Sequence, residues 1–143
     1  MSCRDEEILA ASELTLSTAS KMFRMLLLAP RAFVGNASPP ETNGVYAFSI
    51  GNEIIYVGEA AGSSGLRDRI LRKHVSGDEG HALQRGFQDR FPSRQERRKF
   101  IKSDVEVQWI EIPDSLMVSL VEKLAIEILK PRLNQAVIGR TIR

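Results

Sequence analysis

The two tyrosines of this 143-residue chain, Tyr46 and Tyr56, each sit in a triplet with valine and glycine. The triplets are Gly44-Val45-Tyr46 and Tyr56-Val57-Gly58, with nine residues between the two phenols. A phenol can order water or, once deprotonated, take a proton. A free tyrosine has a pKa of about 10, so the second task needs positive charge close by. Such charge follows in the sequence. Residues 61–102 hold eleven basic and five acidic side chains, a net of +6, against −3 for residues 1–60 and −1 for residues 103–143. Within that stretch Arg69 carries a planar fork suited to two phosphate oxygens. A basic middle is the natural face for a polyanion, although arginines and lysines also solvate ordinary helices. Tyrosine is likewise a common strand former and often a half-buried core residue.

The elements must bring these groups together. Residues 45–50 and 53–57 have strand propensity. Gly51-Asn52 between them readily takes the positive φ angles of a tight hairpin turn. With that turn Ile50 pairs with Glu53, Tyr46 falls opposite Val57, and Tyr56 falls opposite Ala47. A strict hairpin puts the two tyrosines on opposite faces. A β-bulge would bring both to one face, as is common beside active sites. Gly44 and Gly58 stand at strand ends, where a bulky side chain would limit the approach of a ligand backbone.

Residues 58–65 form a small-residue loop leading to a helix over 66–75, which carries Arg67, Arg69, Arg72, Lys73 and His74. A second helix is expected over 79–90. A third begins at Ser93, with Glu96 completing a capping box, and ends near Lys102. Residues 105–112 alternate apolar and polar, the pattern of a half-buried strand. Pro113 and Asp114 open a long helix to Leu129, stopped before Pro131. Upstream, residues 5–28 read as one or two helices, with Ser12, Thr15, Ser17, Thr18 and Ser20 weakening the middle. Residues 35–43 are a linker punctuated by Pro, Gly and Asn. The order predicts an α+β domain over residues 41–143: a small three-stranded, mainly antiparallel sheet flanked by helices. An N-terminal helical extension over 1–40 precedes it.

This combination resembles the GIY-YIG nuclease family, with valine in place of isoleucine in both triplets. Three further features follow in the family's order. Leu66-Arg67-Asp68-Arg69-Ile70 is similar to the segment that carries the family's essential arginine, with Arg69 the better match and Arg67 the second. The family often has a histidine one helical turn later. His74 lies five residues after Arg69, so an ideal helix turns it by roughly 100° from that position. Residues 121–134, with Glu122, Pro131 and Asn134, resemble the last motif, in which a helix bearing a metal-binding glutamate runs into a proline and an asparagine. Glu127 lies roughly 140° round the helix from Glu122 and is expected on a different face.

The resemblance covers residues 43–135 and implies metal-dependent hydrolysis of phosphodiesters in DNA, as in family members that act in bacterial excision repair. It implies Mg²⁺ or Mn²⁺ held by Glu122 and completed by water and phosphate oxygens. Tyr46 would be the general base toward water, Tyr56 would orient water or phosphate, and Arg69 would stabilise the charge that develops. His74 joins this set by motif, against its spacing. Asn134 either contacts the substrate backbone or fixes the turn after the helix. Arg67, Arg72, Lys73, Arg97 and Arg98 would grip the DNA backbone, giving affinity and salt dependence without sequence specificity. RNA is the alternative substrate, and the N-terminal helices are an expected surface for a homodimer.

Other chemistries lack their residues. Cys3 is the only cysteine, so no intramolecular disulfide forms, which fits a reducing compartment. There is no Cys/His cluster for zinc. The loop over 58–65 lacks the Gly-Lys-Ser/Thr ending of a phosphate-binding loop. No apolar run reaches the roughly 18 residues of a membrane helix. The acidic start, Asp5-Glu6-Glu7, is unlike a signal peptide. The expectation is a soluble, cytoplasmic protein. A non-catalytic nucleic-acid-binding module and a partner-binding adaptor on the same fold are the competing readings.

Overall fold

A computed structural model describes residues 1–75 and 81–135 of the chain. In order they form α1 (Cys3–Leu28), β1 (Ala32–Phe33), β2 (Gly44–Ile50), β3 (Glu53–Ala60), α2 (Gly65–Arg67), α3 (Ala82–Gly86), α4 (Arg94–Asp104), β4 (Glu106–Glu111) and α5 (Ser115–Leu129). α2 continues without a break into a π-helical turn, Asp68–Lys73. The expected start of the second helix, Glu79, lies outside the described residues.

The fold is α+β, as its sequence predicts, with an antiparallel sheet flanked by helices. The sheet has four strands in the order β1-β4-β2-β3, one more than expected. The extra strand is only Ala32–Phe33, paired with Val107 and Glu106. Two residues are too few to show a period in the sequence.

Apolar side chains fill both faces of the sheet. On one face Tyr46, Phe48, Ile55 and Val107 pack with Leu66, Ile70, Leu83, Phe87 and Ile101 from the α2, π, α3 and α4 segments. On the other, Val45, Ala47, Val57 and Ile110 pack with Ala19 and Leu26 of α1 and with Val118, Val121 and Ala125 of α5. β2 is therefore apolar along nearly its whole length because it is covered on both faces.

The N-terminal segment is one unbroken helix of 26 residues. Its hydroxyls do not break it because they bond back along the helix: Thr15 Oγ1 donates to Ala11 O at 3.0 Å and Thr18 Oγ1 to Leu14 O at 3.1 Å. Packing does not stop at residue 40. The last turns of α1 share the second core, and Gln108 Nε2 donates to Leu26 O at 2.8 Å. The linker also has a structural task. Leu66 N donates to Thr42 O and Arg67 N to Pro40 O, both at 2.9 Å, so the linker supplies acceptors for the otherwise unpaired first amides of α2.

Candidate active site

Two local irregularities assemble the site. The first is in the hairpin. Gly51 takes φ +59° at the turn, and Ile50 pairs with Glu53 and Ser49 with Ile54 as expected. The register then shifts between Phe48 and Ser49, so Phe48 pairs with Tyr56 and Tyr46 with Gly58. Ile55 is the additional residue of this bulge. Both Ile55 and Tyr56 pack with the Tyr46 face, and the ring centroids of the two tyrosines lie 6.3 Å apart. The opposition of faces in a strict hairpin is thereby removed.

The second irregularity is the π turn. His74 N donates to Arg69 O at 3.2 Å, a bond that spans five residues instead of four. The wider turn absorbs the additional residue between Arg69 and His74. The roughly 100° rotation expected on an ideal α-helix does not occur. His74 is instead the centre of the cluster: it is 1% exposed, and its Nε2 lies 2.8 Å from the Tyr46 hydroxyl. Its ring centroid is 5.1 Å from that of Tyr56 and 5.0 Å from that of Phe48. Nothing in the sequence reports a π turn, because the helical period that reveals helices assumes 3.6 residues per turn.

Burial sets the protonation states. Burial first, then Arg69 and His81, lower the His74 pKa to about 3, so the imidazole is neutral. Burial, then the nearby Tyr56, push the Tyr46 hydroxyl well above its usual value, while Arg69 pulls the other way. Arg69 is half-buried, and its charge acts on the Tyr46 hydroxyl. Burial works against the Arg69 charge, but Tyr46, Tyr56 and Asp68 together outweigh it and raise its pKa. The Tyr46 hydroxyl and the neutral His74 Nε2 share one hydrogen bond, whose direction follows the imidazole tautomer, and the Arg69 charge acts on the same hydroxyl.

Glu122 arrives from α5, beside the edge strand β3. Its side chain is 13% exposed and accepts from Lys123 Nζ at 3.1 Å. Burial and then Glu59 raise its pKa, and Lys123 and Arg69 lower it. Its charge also acts on Tyr56 and Tyr46, which puts it in the same electrostatic neighbourhood. Glu127 is exposed and pairs with Lys130 at 3.7 Å on another face, as its spacing predicts.

Glu59 is the residue that sequence reading missed. It follows Gly58 directly, is half-buried, and accepts from Ser119 Oγ at 3.0 Å. With Asp68, Arg69 and the Ala61–Gly65 loop it lines an open cleft of about 430 Å³. Its place immediately after the second triplet was the available signal. Glu122 and Glu59 are hard oxygen donors, which fit a cation such as Mg²⁺ that takes one or two carboxylates and keeps its remaining positions for water and phosphate. No group of three or more His, Cys, Asp or Glu among the described residues could enclose a metal alone.

Several expected substrate contacts are spent inside the protein. A Cβ on Gly58 would overlap the Tyr46 phenol, and one on Gly44 would overlap Ile110 O and the Leu66 side chain. Both glycines make room for neighbouring protein atoms, not for a ligand backbone. Asn134 pins the edge strand: Val57 N donates to its Oδ1 at 2.8 Å and its Nδ2 donates to Val57 O at 2.9 Å. Its side-chain bonds thus tie the segment after α5 to β3, a different task from fixing the turn after the helix. Arg97 is 1% exposed, and its guanidinium donates to Gln84 Oε1, Phe91 O and Pro92 O, so it is not a surface contact for DNA. By contrast Arg67, Arg72 and Lys73 are exposed, with Arg72 paired to Asp68 at 3.4 Å, and Arg98 is half-buried. No described helix is long and apolar enough to cross a membrane.

No family model matches the sequence. No curated protein matches it either. Among solved structures, the chain is similar to crystal structures of the GIY-YIG N-terminal endonuclease domain of UvrC from Thermotoga maritima. One, a point mutant bound to the catalytic divalent cation, is 19% identical over 79% of this chain and 93% of that chain, with a TM-score of 0.43. A second point mutant is 20% identical over 79% and 94%, with a TM-score of 0.41. The domain bound to magnesium is 19% identical over 79% and 94%, with a TM-score of 0.40. These neighbours belong to the family that the sequence motifs resemble. At such identity and superposition the likeness assigns no role to any residue here.

Proposed function

We propose that this chain is a metal-dependent endonuclease that hydrolyses phosphodiester bonds in DNA. The observation that carries this reading is the clustering of Tyr46, Tyr56 and His74 through a bulge and a π turn, with the charges of Arg69 and Glu122 acting on both tyrosines and Arg69 lining an open cleft with Glu59. Nothing in regular secondary structure requires that clustering, and such irregularities concentrate at functional sites.

Glu122, with Glu59 beside it, would hold Mg²⁺ or Mn²⁺. When bound, the cation supplies positive charge that polarises the phosphate and stabilises the leaving oxygen. The protein groups do the rest. Arg69 offers its fork to the phosphate and offsets the charge that builds on it. Tyr46 is a neutral phenol at rest, held by its bond to His74 Nε2. To act as base toward water it must lose its proton. His74, with its pKa lowered to about 3, is too weak a base to take that proton and instead orients the phenol. The Arg69 charge favours the phenolate. Tyr56, half-buried between Tyr46 and the Glu122 charge, orients the attacking water. The exposed Arg67, Arg72 and Lys73 hold the DNA backbone beside the cleft, and RNA is the alternative polyanion for the same face.

A cleavage assay on duplex, branched and single-stranded DNA, and on RNA, with Mg²⁺, Mn²⁺ or EDTA tests this. Cutting is expected with either metal and not with EDTA, and Glu122→Ala and Arg69→Ala are each expected to abolish it. If both variants cut as the wild type does, the assignment is wrong. Salt-dependent binding without any cut product would instead support a non-catalytic binding module.

A further inference from the structure

The π turn ends where helices are weakest. The last carbonyls of a helix have no partner within it. At this end the carbonyls of His74 and Val75 are taken by one side chain: Gln84 Nε2 donates to Val75 O at 2.7 Å and to His74 O at 3.2 Å. Gln84 is fully buried, at 0% exposure. Its amide cannot turn over, because its Oε1 accepts from Arg97 Nε at 3.0 Å. Arg97 is in turn held by the carbonyls of Phe91 and Pro92, each 2.8 Å from one guanidinium nitrogen. A continuous line of buried hydrogen bonds therefore runs from α4 through α3 to the backbone of His74, and from the His74 ring to the Tyr46 hydroxyl.

We propose that Gln84 and Arg97 are positioning residues, which hold the end of the π turn so that His74 Nε2 meets the Tyr46 hydroxyl. The physical need is specific. A π turn has poorer hydrogen-bond geometry than an α-helix and is rare without support. A ring at its end is aimed only if the backbone there is fixed. Gln84 fixes both terminal carbonyls at once, and Arg97 selects the amide orientation that lets it do so. Neither residue reaches the cleft, so their effect on chemistry passes entirely through His74. This rests on the reading of Tyr46 and His74 as a working pair.

The test uses Gln84→Glu, which keeps an acceptor for Arg97 and loses the donor to both carbonyls, with Arg97→Lys as a second variant. The first measurement is the ¹⁵N resonance of His74 Nε2 in the folded protein, with Tyr46→Phe marking the ring without its partner. Both variants are expected to move the resonance toward the Tyr46→Phe position. A folded variant of either kind that keeps the wild-type resonance overturns the proposal. The second measurement is kcat on DNA. A misplacement of this kind costs up to about a hundredfold in kcat with little change in KM. In a His74→Phe background, Gln84→Glu is expected to add less than about twofold, because both act on one step. Losses that multiply in the double variant also overturn it. The resonance needs no cleavage, so a wild type that cuts nothing refutes the nuclease reading and leaves the positioning of the ring decided on its own.

Discussion

Tyr46 and His74 form a neutral pair in which each group is kept neutral by the same burial. The His74 pKa falls from 6.5 to about 3, first through burial, then through Arg69 and His81. Between those values the unfolded chain binds a proton that the folded chain refuses. Stability therefore rises with pH across the window: the contribution is fully present above pH 6.5 and is lost as pH falls toward 3. Each pKa unit corresponds to about 1.4 kcal/mol, so the acid limb carries a few kcal/mol from this ring. His74→Phe should flatten it. Urea unfolding at pH 4 and pH 7 is expected to give a larger difference for the wild type than for the variant; equal differences would mean that His74 is charged in the fold. Gly58 limits the same pair sterically. A methyl group there would overlap the Tyr46 phenol. Gly58→Ala should cost about 1–3 kcal/mol in stability by overpacking and lower kcat by displacing the phenol. Calorimetry and a cleavage assay check both, and a variant with wild-type stability would mean that the ring moves freely.

Whether these side chains meet depends on elements that deviate from their own periods. The identities of Tyr46, Tyr56, Arg69 and Glu122 were legible because their types and order form a pattern, and the hairpin was legible because Gly51-Asn52 suits its turn. His74 was legible as a residue type but not as a position. A sequence states how many residues separate two groups, and only the backbone decides how many degrees each residue turns. The bulge at Ile55 and the π turn over Asp68–Lys73 each accommodate one additional residue. Gln84 and Glu59 were missed for another reason, since their roles depend on partners far along the chain, Arg97 and Ser119. The π turn yields a prediction at this scale. Deleting the exposed Lys73 leaves His74 four residues after Arg69, and an ordinary α-turn then spans the gap. The deletion is expected to fold, with its Tm close to that of the wild type and the Tyr46–His74 bond retained by the Nε2 resonance. Deleting the exposed Lys99 from the regular helix α4 is the control, because it rotates the buried Ile101 away from the core. If both deletions unfold the chain alike, the π turn is not a spare residue held in the helix.

At the scale of the molecule, α1 joins two regions with different dependence on the rest. Residues 1–17 are exposed throughout, including Ile8 at 56%, Leu14 at 69% and Leu16 at 53%. From Ala19 onward the helix enters the second core, and Leu26 is fully buried there. Its end also satisfies a buried polar group: Gln108 Nε2 donates to Leu26 O at 2.8 Å, Ala29 O at 3.2 Å and Leu27 O at 3.4 Å. The sheet, the linker that caps α2 and the end of α1 therefore depend on one another, and the site depends on all three. Truncation separates the two regions. Removing residues 1–17 takes away almost no buried apolar surface, so Tm and cleavage should stay near wild type. Removing residues 1–28 strips Leu26 from the core, at about 2–5 kcal/mol for a large aliphatic side chain, and takes from the buried Gln108 amide its acceptors Leu26 O and Leu27 O, leaving Ala29 O alone, at about 1 kcal/mol more. Together these approach the lower end of the stability of an ordinary domain of about 5–15 kcal/mol. The longer truncation should therefore be unfolded or aggregated by circular dichroism and size exclusion. A folded, active 29–143 fragment would show that α1 is a separable extension. Loss of a dimer with activity kept in the 18–143 fragment would assign the exposed stripe to self-association.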